Sequence, residues 1–215
     1  FIFKKINFLY NYLMIKKFPE HIPIFPLSGV IYFPKTNLPL NIFENRYLQL
    51  VNDAFNKNKL MGMIQTKKDE KEIYRVGCLG KINDFQKSQD GRIIINLTGL
   101  TRFEVTEELS NAKLYREFKV NYKKFSLDIE TKIEEINLGL LLKKTRVFFE
   151  KYGLLLNWKE FDKLDVVQQT NTLAMIAPIT NEEKQKLLES ISLQEKIKTL
   201  TNILDFYLHE VNFNN

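Results

Sequence analysis

Residues 22–47, IPIFPLSGVIYFPKTNLPLNIFENRY, decide how the rest of the chain is read. Four of the six prolines fall in this span, among a high density of large apolar residues. Pro26, Pro34 and Pro39 each lock φ and remove a backbone donor, so the stretch is neither a long helix nor an uninterrupted central strand. It reads as short extended pieces joined by rigid corners. Such a segment either stitches a β-barrel together or forms the wall of a binding surface.

Working outward, residues 44–56 place Tyr47, Val51 and Phe55, and Leu50 and Ala54, on one face of an α-helix. Residues 60–65 (LMGMIQ) form a short apolar strand, and residues 74–85 (YRVGCLGKINDF) another. Gly77 and Gly80 within it mark a bulge or a close backbone approach. Asp90-Gly91 then precedes RIIINL at 92–97, the signature of a hairpin. Residues 102–109 and 114–122 add two further strands, giving about five after Leu60, which a compact barrel or sandwich would bury.

From Leu127 the period changes to a helical one. Ile129, Ile133, Ile136, Leu140, Val147 and Phe148 carry a helix through Tyr152, with Gly153 as its stop. Residues 161–176 form a second helix, and Thr180 with Glu183 and Ser192 with Glu195 are capping boxes for two more. The last helix carries Leu193, Ile197, Leu200, Leu204, Tyr207 and Val211 in alternating steps of four and three. The fold class is therefore α+β: a β lobe with one helix at 19–125, and a helical bundle of about four helices at 126–215.

The 215 residues, 44% hydrophobic and 27% charged, suffice for one large domain or two small ones. The net charge of +6 is spread over scattered pairs such as Lys16-Lys17 and Lys143-Lys144, and only six of the 32 basic residues are arginine. That describes a solvated lysine-rich surface better than a phosphate-reading patch. The single cysteine, Cys78, excludes an internal disulfide and fits a reducing cytosol. Residues 1–18 are set apart as an extension. Their apolar run is interrupted by Lys4, Lys5, Asn7 and Asn11 and is too short to span a membrane, and residues 1–13 look like upstream or fragment sequence. An amphipathic surface helix is the competing reading.

Catalytic chemistry finds no foothold in these residues. There is no GxxxxGK[ST] loop and no G-x-S-x-G elbow, and Ser28 before Gly29 is ordinary turn chemistry. His21 and His209 lack a second ligand at helical spacing, so neither a metal nor a cofactor is expected. Cys78, inside a strand pattern with no basic neighbour, reads as buried and inert. Glu44, Arg46 and Tyr47 are the one polar cluster of the opening stretch. They either hydrogen-bond an incoming backbone or serve structure, with Arg46 paired to a barrel carboxylate and Tyr47 buried on the core face.

The ordered set IPIFPL, FP, LPLNIFENRY, a helix, YRVGCLGKI, an Asp-Gly hairpin, GLTRFEV and LAMIAPITNEEKQKLLE resembles the N-terminal substrate-binding domain of Lon proteases, and most of all its stand-alone bacterial form. The match runs from residue 22 to about 211. The resemblance implies a PUA-like β-barrel lobe, similar to the pseudouridine-synthase-associated RNA-binding fold, followed by a helical bundle. It further implies a non-catalytic, cytoplasmic module that recognises unfolded or degron-bearing polypeptides, with an ATP-dependent protease as a partner and no membrane. RNA binding by the PUA-like lobe is the alternative reading, by analogy of fold. Candidate peptide contacts are Ile31, Tyr32, Phe33 and Pro34, on a loop at 28–37 expected to project into solvent, together with Leu40, Phe43 and Arg46.

Overall fold

A computed structural model of the chain describes residues 18–67, 72–129 and 136–210. Apart from Phe18, the expected extension lies outside the described residues, as do Ile133, Val211 and most of the stretch between 129 and 136 that was read as helical. The chain divides into two compact units, residues 1–131 and 132–215. Among the described residues the first is a sheet with one long helix and a 3₁₀ segment, and the second is helical.

In the first unit the order is β1 (His21–Leu27), β2 (Asn37–Ile42), α1 (Asn45–Lys57), β3 (Leu60–Thr66), β4 (Ile73–Lys87), β5 (Ile93–Leu109) and β6 (Arg116–Asn121), followed by a 3₁₀ segment, Lys123–Ile129. The strands form one sheet in the order β2-β5-β4-β3-β1-β6, and β6 also pairs with β5. The ladder from β5 through β4, β3, β1 and β6 therefore returns to β5, while β2 hangs on β5 as an additional strand. Only β1 and β3 run parallel, with Ile24 beside Gly62, and α1 lies in the connection from β2 to β3.

Two of the expected strands prove to be one. Residues 92–97 and 102–109 are joined in β5, whose first half pairs with both β2 and β4 and whose end pairs with β6. Gly99, in the stretch between the two expected strands, serves a close approach. A Cβ at Gly99 would lie 2.1 Å from the Phe33 carbonyl oxygen. Gly77 plays a comparable part in β4, where a Cβ would meet Met63 O at 2.5 Å and the Phe103 ring at 2.6 Å. The Asp-Gly hairpin is present, with Gly91 at φ 87° and Ser88 N donating to Arg92 O at 2.8 Å.

Helix α1 buries Tyr47, Leu50, Val51 and Ala54, the face that the spacing marked out, against Met61, Ile82, Ile93, Ile95 and Leu97. Leu50 and Val51 are wholly buried, each worth about 2 kcal/mol by transfer. A second cluster, Ile22, Ile24, Leu79, Phe103, Phe118 and Tyr122, fills the side formed by β1 and β6. Phe18, expected as the end of the extension, packs on this cluster with its ring 5.5 Å from that of Tyr122. The first unit also extends beyond the boundary expected near Phe125. Phe125 is fully buried, and Asp128 is tied to Arg102, which keeps the 3₁₀ segment with the sheet.

The second unit comprises, among the described residues, α2 (Gly139–Lys151), α3 (Trp158–Phe161), α4 (Val166–Ile176), α5 (Asn181–Glu189) and α6 (Leu193–Glu210). The helix expected over 161–176 is interrupted because Asp165 caps a new one, accepting from Gln168 N while the Gln168 side chain accepts from Asp165 N. The Thr180–Glu183 box is present as expected. At α6, Ser192 accepts from Glu195 N at 3.1 Å, but the Glu195 carboxylate reaches Ile191 N instead of Ser192 N. α6 contacts α2, α4 and α5. Its buried Lys196 donates to Asn171 Oδ1 of α4 at 2.7 Å, and Asp205 pairs with Lys144 of α2.

Candidate functional site

The structure separates the seven candidate residues into two groups. Ile31, Tyr32, Phe33 and Pro34 are buried, the first three at 2%, 2% and 0% exposure, so the expected projecting loop is corrected. The cause is the turn that follows. Lys35 adopts φ 60°, the Thr36 hydroxyl donates to Phe33 O at 2.7 Å, and Lys35 N donates to Gly99 O while Gly99 N donates to Thr36 O, both at 2.9 Å. These bonds fold the segment down onto β5, and the missing Cβ at Gly99 lets it approach. Tyr32 enters the α1 core beside Cys78, and burial, with Cys78 second, pushes its phenol well above the ordinary value. Its hydroxyl has no hydrogen-bond partner among the described residues.

The other group lies around the start of α1. Leu40 is half-buried and packs on the α1 core through β2. Phe43, the first residue after β2, is 67% exposed. Arg46 is exposed too, and its guanidinium pairs with Glu44 at 2.8 Å and lies 4.5 Å from the centre of the Tyr47 ring. The expected pairing of Arg46 with a barrel carboxylate is thus replaced by a local one, while Tyr47 is buried as expected and donates to Pro26 O at 3.4 Å. The arginine that does form a buried pair is Arg102, whose Nη2 and Nε reach Asp128 at 2.6 and 2.9 Å.

One turn beyond Arg46, Gln49 Oε1 accepts from Leu114 N at 2.9 Å, and Asp53 accepts from the Tyr115 hydroxyl at 2.8 Å. The tip of the β5–β6 hairpin is thereby pinned to the outer face of α1. Leu114, 63% exposed, sits on that tip. It was read as the first residue of a strand, but β6 starts only at Arg116, and nothing in the local pattern shows that the hairpin reaches the helix. Around this helix lie two exposed apolar side chains, Phe43 just before it and Leu114 on the hairpin, with Arg46 and Gln49 on the helix itself. This surface has the means to grip an apolar side chain and to hydrogen-bond a backbone. Its ionic neighbours are committed: Arg116 binds both oxygens of Glu108, at 2.7 and 2.8 Å, and holds that carboxyl below its usual range.

Among the described residues no group of three His, Cys, Asp or Glu side chains could hold a metal ion, and no helix is long and apolar enough to cross a membrane. Cys78 is fully buried with its thiol toward Leu79 O at 3.6 Å. His209 Nε2 lies 3.6 Å from Asp205 at the exposed end of α6.

Comparison with known proteins bears on this arrangement. The model of the ATP-dependent protease La (LON) substrate-binding domain matches residues 21–205. The Lon protease of Syntrophus aciditrophicus is 29% identical over 210 residues, covering 90% of this chain and 26% of that protein. That of Dictyoglomus thermophilum is 30% identical over 200 residues, covering 86% and 24% respectively. The chain thus spans about a quarter of the length of these relatives. In fold it is similar to the N-terminal domain of the Mycobacterium avium complex Lon protease, with a TM-score of 0.63 at 15% identity, covering 86% of this chain and 98% of that one. The Lon N-terminal domain protein of Xanthomonas campestris is similar too, with a TM-score of 0.64 at 21% identity, covering 85% and 97%.

Proposed function

The chain belongs to the LON substrate-binding domain family, and from that premise we propose that it is a non-catalytic module that binds unfolded or degron-bearing polypeptide through the outer face of α1. The observation that carries this reading is Phe43. It is the one large apolar side chain of the opening stretch left mostly in water, next to the start of a helix that offers Arg46 and Gln49, the latter bonded to the hairpin residue Leu114. Large exposed apolar groups rimmed by polar ones are the usual mark of a protein-contact surface. The β unit is inferred to be a closed PUA-like barrel, a reading supported by the return of the ladder from β6 to β5. A cytoplasmic place fits the single buried thiol, and an ATP-dependent protease is the inferred partner. RNA is disfavoured because five of the six arginines, Arg46, Arg92, Arg102, Arg116 and Arg146, are each paired with a carboxylate.

The test is retention of a denatured protein and of apolar peptides by the immobilised chain. The Phe43→Ala, Leu114→Ala double variant should weaken retention about tenfold without changing the unfolding midpoint, since both side chains are exposed. Failure of the unaltered chain to bind above a hydrophilic control peptide up to about 1 mM, a free energy of only about −4 kcal/mol, refutes the reading.

A further inference from the structure

We infer that the groove between α5 and α6 takes an acidic–apolar stretch of polypeptide, seating an aliphatic or aromatic side chain on Phe206 and Ile203 and the neighbouring carboxylate on Lys186. This rests on the reading of the chain as a polypeptide-binding module and names the segments it would prefer. The groove, open to solvent, offers about 360 Å³ and is lined by Glu183 and Lys186 from α5 and by Thr199, Asn202, Ile203 and Phe206 from α6. The α6 residues recur at helical spacing, one face turned away from the buried Leu200 and Leu204. Phe206 is 54% exposed on that face.

The two charges of the lining are not equivalent. Glu183 is the third residue of α5, and its Oε2 already accepts from Thr180 N at 2.8 Å, Thr180 Oγ1 at 3.0 Å and the Tyr207 hydroxyl at 2.9 Å. Three donors and the positive end of a helix offset its charge. Lys186, one turn on, is exposed, and among the described residues no carboxylate lies within ion-pair reach of it. The uncommitted charge in the groove is therefore an ammonium, carried by the helix opposite the apolar wall. A volume at the low end for binding sites holds a side chain or two, so the ligand is a short piece of a longer chain. Asn202 and Thr199 supply hydrogen-bonding groups for its backbone. A basic segment would meet a like charge and be disfavoured.

The full chain is titrated against a fluorescent, doubly capped Gly-Gly-Leu-Phe-Asp-Gly-Gly peptide and its counterparts with Asn or Lys in place of Asp. The Asp peptide should bind about threefold tighter than the Asn peptide, as an exposed ion pair allows, and the Lys peptide weakest. Lys186→Glu should reverse the order in favour of the Lys peptide, and Phe206→Ala should weaken all three about tenfold. Both positions are exposed, so an unchanged unfolding midpoint checks that the variants fold. An order of affinities unaltered by Lys186→Glu overturns the inference. So does a Phe206→Ala variant that only turns a dimer into a monomer in sedimentation, which would make the groove a self-association face. If both groove variants keep full retention of denatured protein and peptides, this inference fails while the wider reading stands; if the unaltered chain binds no peptide up to about 1 mM, both fail.

Discussion

Replacing Asp128 by alanine should cost about 3–5 kcal/mol of the first unit's stability, because it leaves the Arg102 guanidinium charged and buried without its partner. The side chains of Arg102 and Asp128 are only 4% and 9% exposed. The bonds that join them or the adjoining backbone include Nη2 to Oδ1 at 2.6 Å, Nε to Oδ2 at 2.9 Å and to Oδ1 at 3.2 Å, and Arg102 N to Oδ2 at 2.9 Å. The guanidinium also lies 4.3 Å from the centre of the fully buried Phe125 ring, which cannot replace a carboxylate as a counter-charge. Against a total of about 5–15 kcal/mol for a domain, the loss is large. At a slope of about 2 kcal/mol per molar urea, it lowers the unfolding midpoint by roughly 1.5–2.5 M, read by circular dichroism. Trp158, the only tryptophan, reports the helical unit separately by its fluorescence. The combination Arg102→Met, Asp128→Leu should recover most of the loss, since it also removes the buried guanidinium that has lost the Asp128 carboxylate. It should stay about 1 kcal/mol below the original chain, because Arg102 N–H has lost its acceptor. A single-variant cost under about 1 kcal/mol, or a double variant as unstable as the single one, would refute the reasoning.

Gly99→Ala should lower the urea midpoint by an amount equivalent to about 1–3 kcal/mol or more, since the new methyl would collide with the Phe33 carbonyl in a turn held by two backbone bonds. Tyr32→Phe should be neutral or stabilising by up to about 1 kcal/mol, because it removes a buried hydroxyl without a partner among the described residues, whereas Phe33→Ala should cost about 3–5 kcal/mol; paired denaturation curves separate the two. Stability should fall on acidification partly through Glu108, whose carboxyl is held low first by its hydrogen bonds to Arg116 and then by that residue's charge. A depressed folded-state value contributes stability that is present above the usual glutamate range and is lost as pH drops through the folded value. Glu108→Gln should therefore flatten the urea midpoint between about pH 5 and pH 3, by only a few tenths of a kcal/mol because the side chain is 49% exposed.

What the sequence made legible follows from where local chemistry decides the structure. The α1 face, the Asp-Gly hairpin and the Thr180 box depend on neighbours within a few residues, and each is found as expected. The misreadings share a different cause. β5 was read as two strands with residues 98–101 between them, because what holds that middle to the sheet is remote in sequence: Gly99 admits the carbonyl of Phe33, 66 positions away. The break at 162–165 was missed because the apolar period runs through it, and only Asp165 with Gln168 betrays the restart. Arg102 and Asp128 pair across 26 residues, a relation that no spacing rule reveals. Four of the seven candidate contacts, Ile31 to Pro34, prove buried instead of exposed for the same reason, since exposure is set by what folds over a residue and not by its type.

The burial of Tyr32 and Phe33 and the exposure of Phe43 are two consequences of one geometry. The Thr36–Gly99 contact sets the register of β2 on β5, from Asn37 opposite Thr98 to Ile42 opposite Ile93. With that register Leu38, Leu40 and Ile42 face the core and Asn37, Pro39 and Asn41 face out, the alternation that a half-buried strand requires. Because Gly99 N bonds Thr36 O, the same alternation turns the backbone of Pro39 away from β5. Its missing N–H therefore costs no ladder bond, and it blunts the free edge of the strand against chance pairing. Phe43 continues the outward phase one step beyond the strand, where Glu44 opens α1 and no neighbouring strand can cover it. On the proposed reading a polypeptide would therefore meet the Phe43 side chain, while Pro39 interrupts the donors of the strand edge. Any slip of β2 by one residue would bury Phe43 and expose Leu40 and Ile42 instead, so the turn at Thr36 governs the surface from seven residues away.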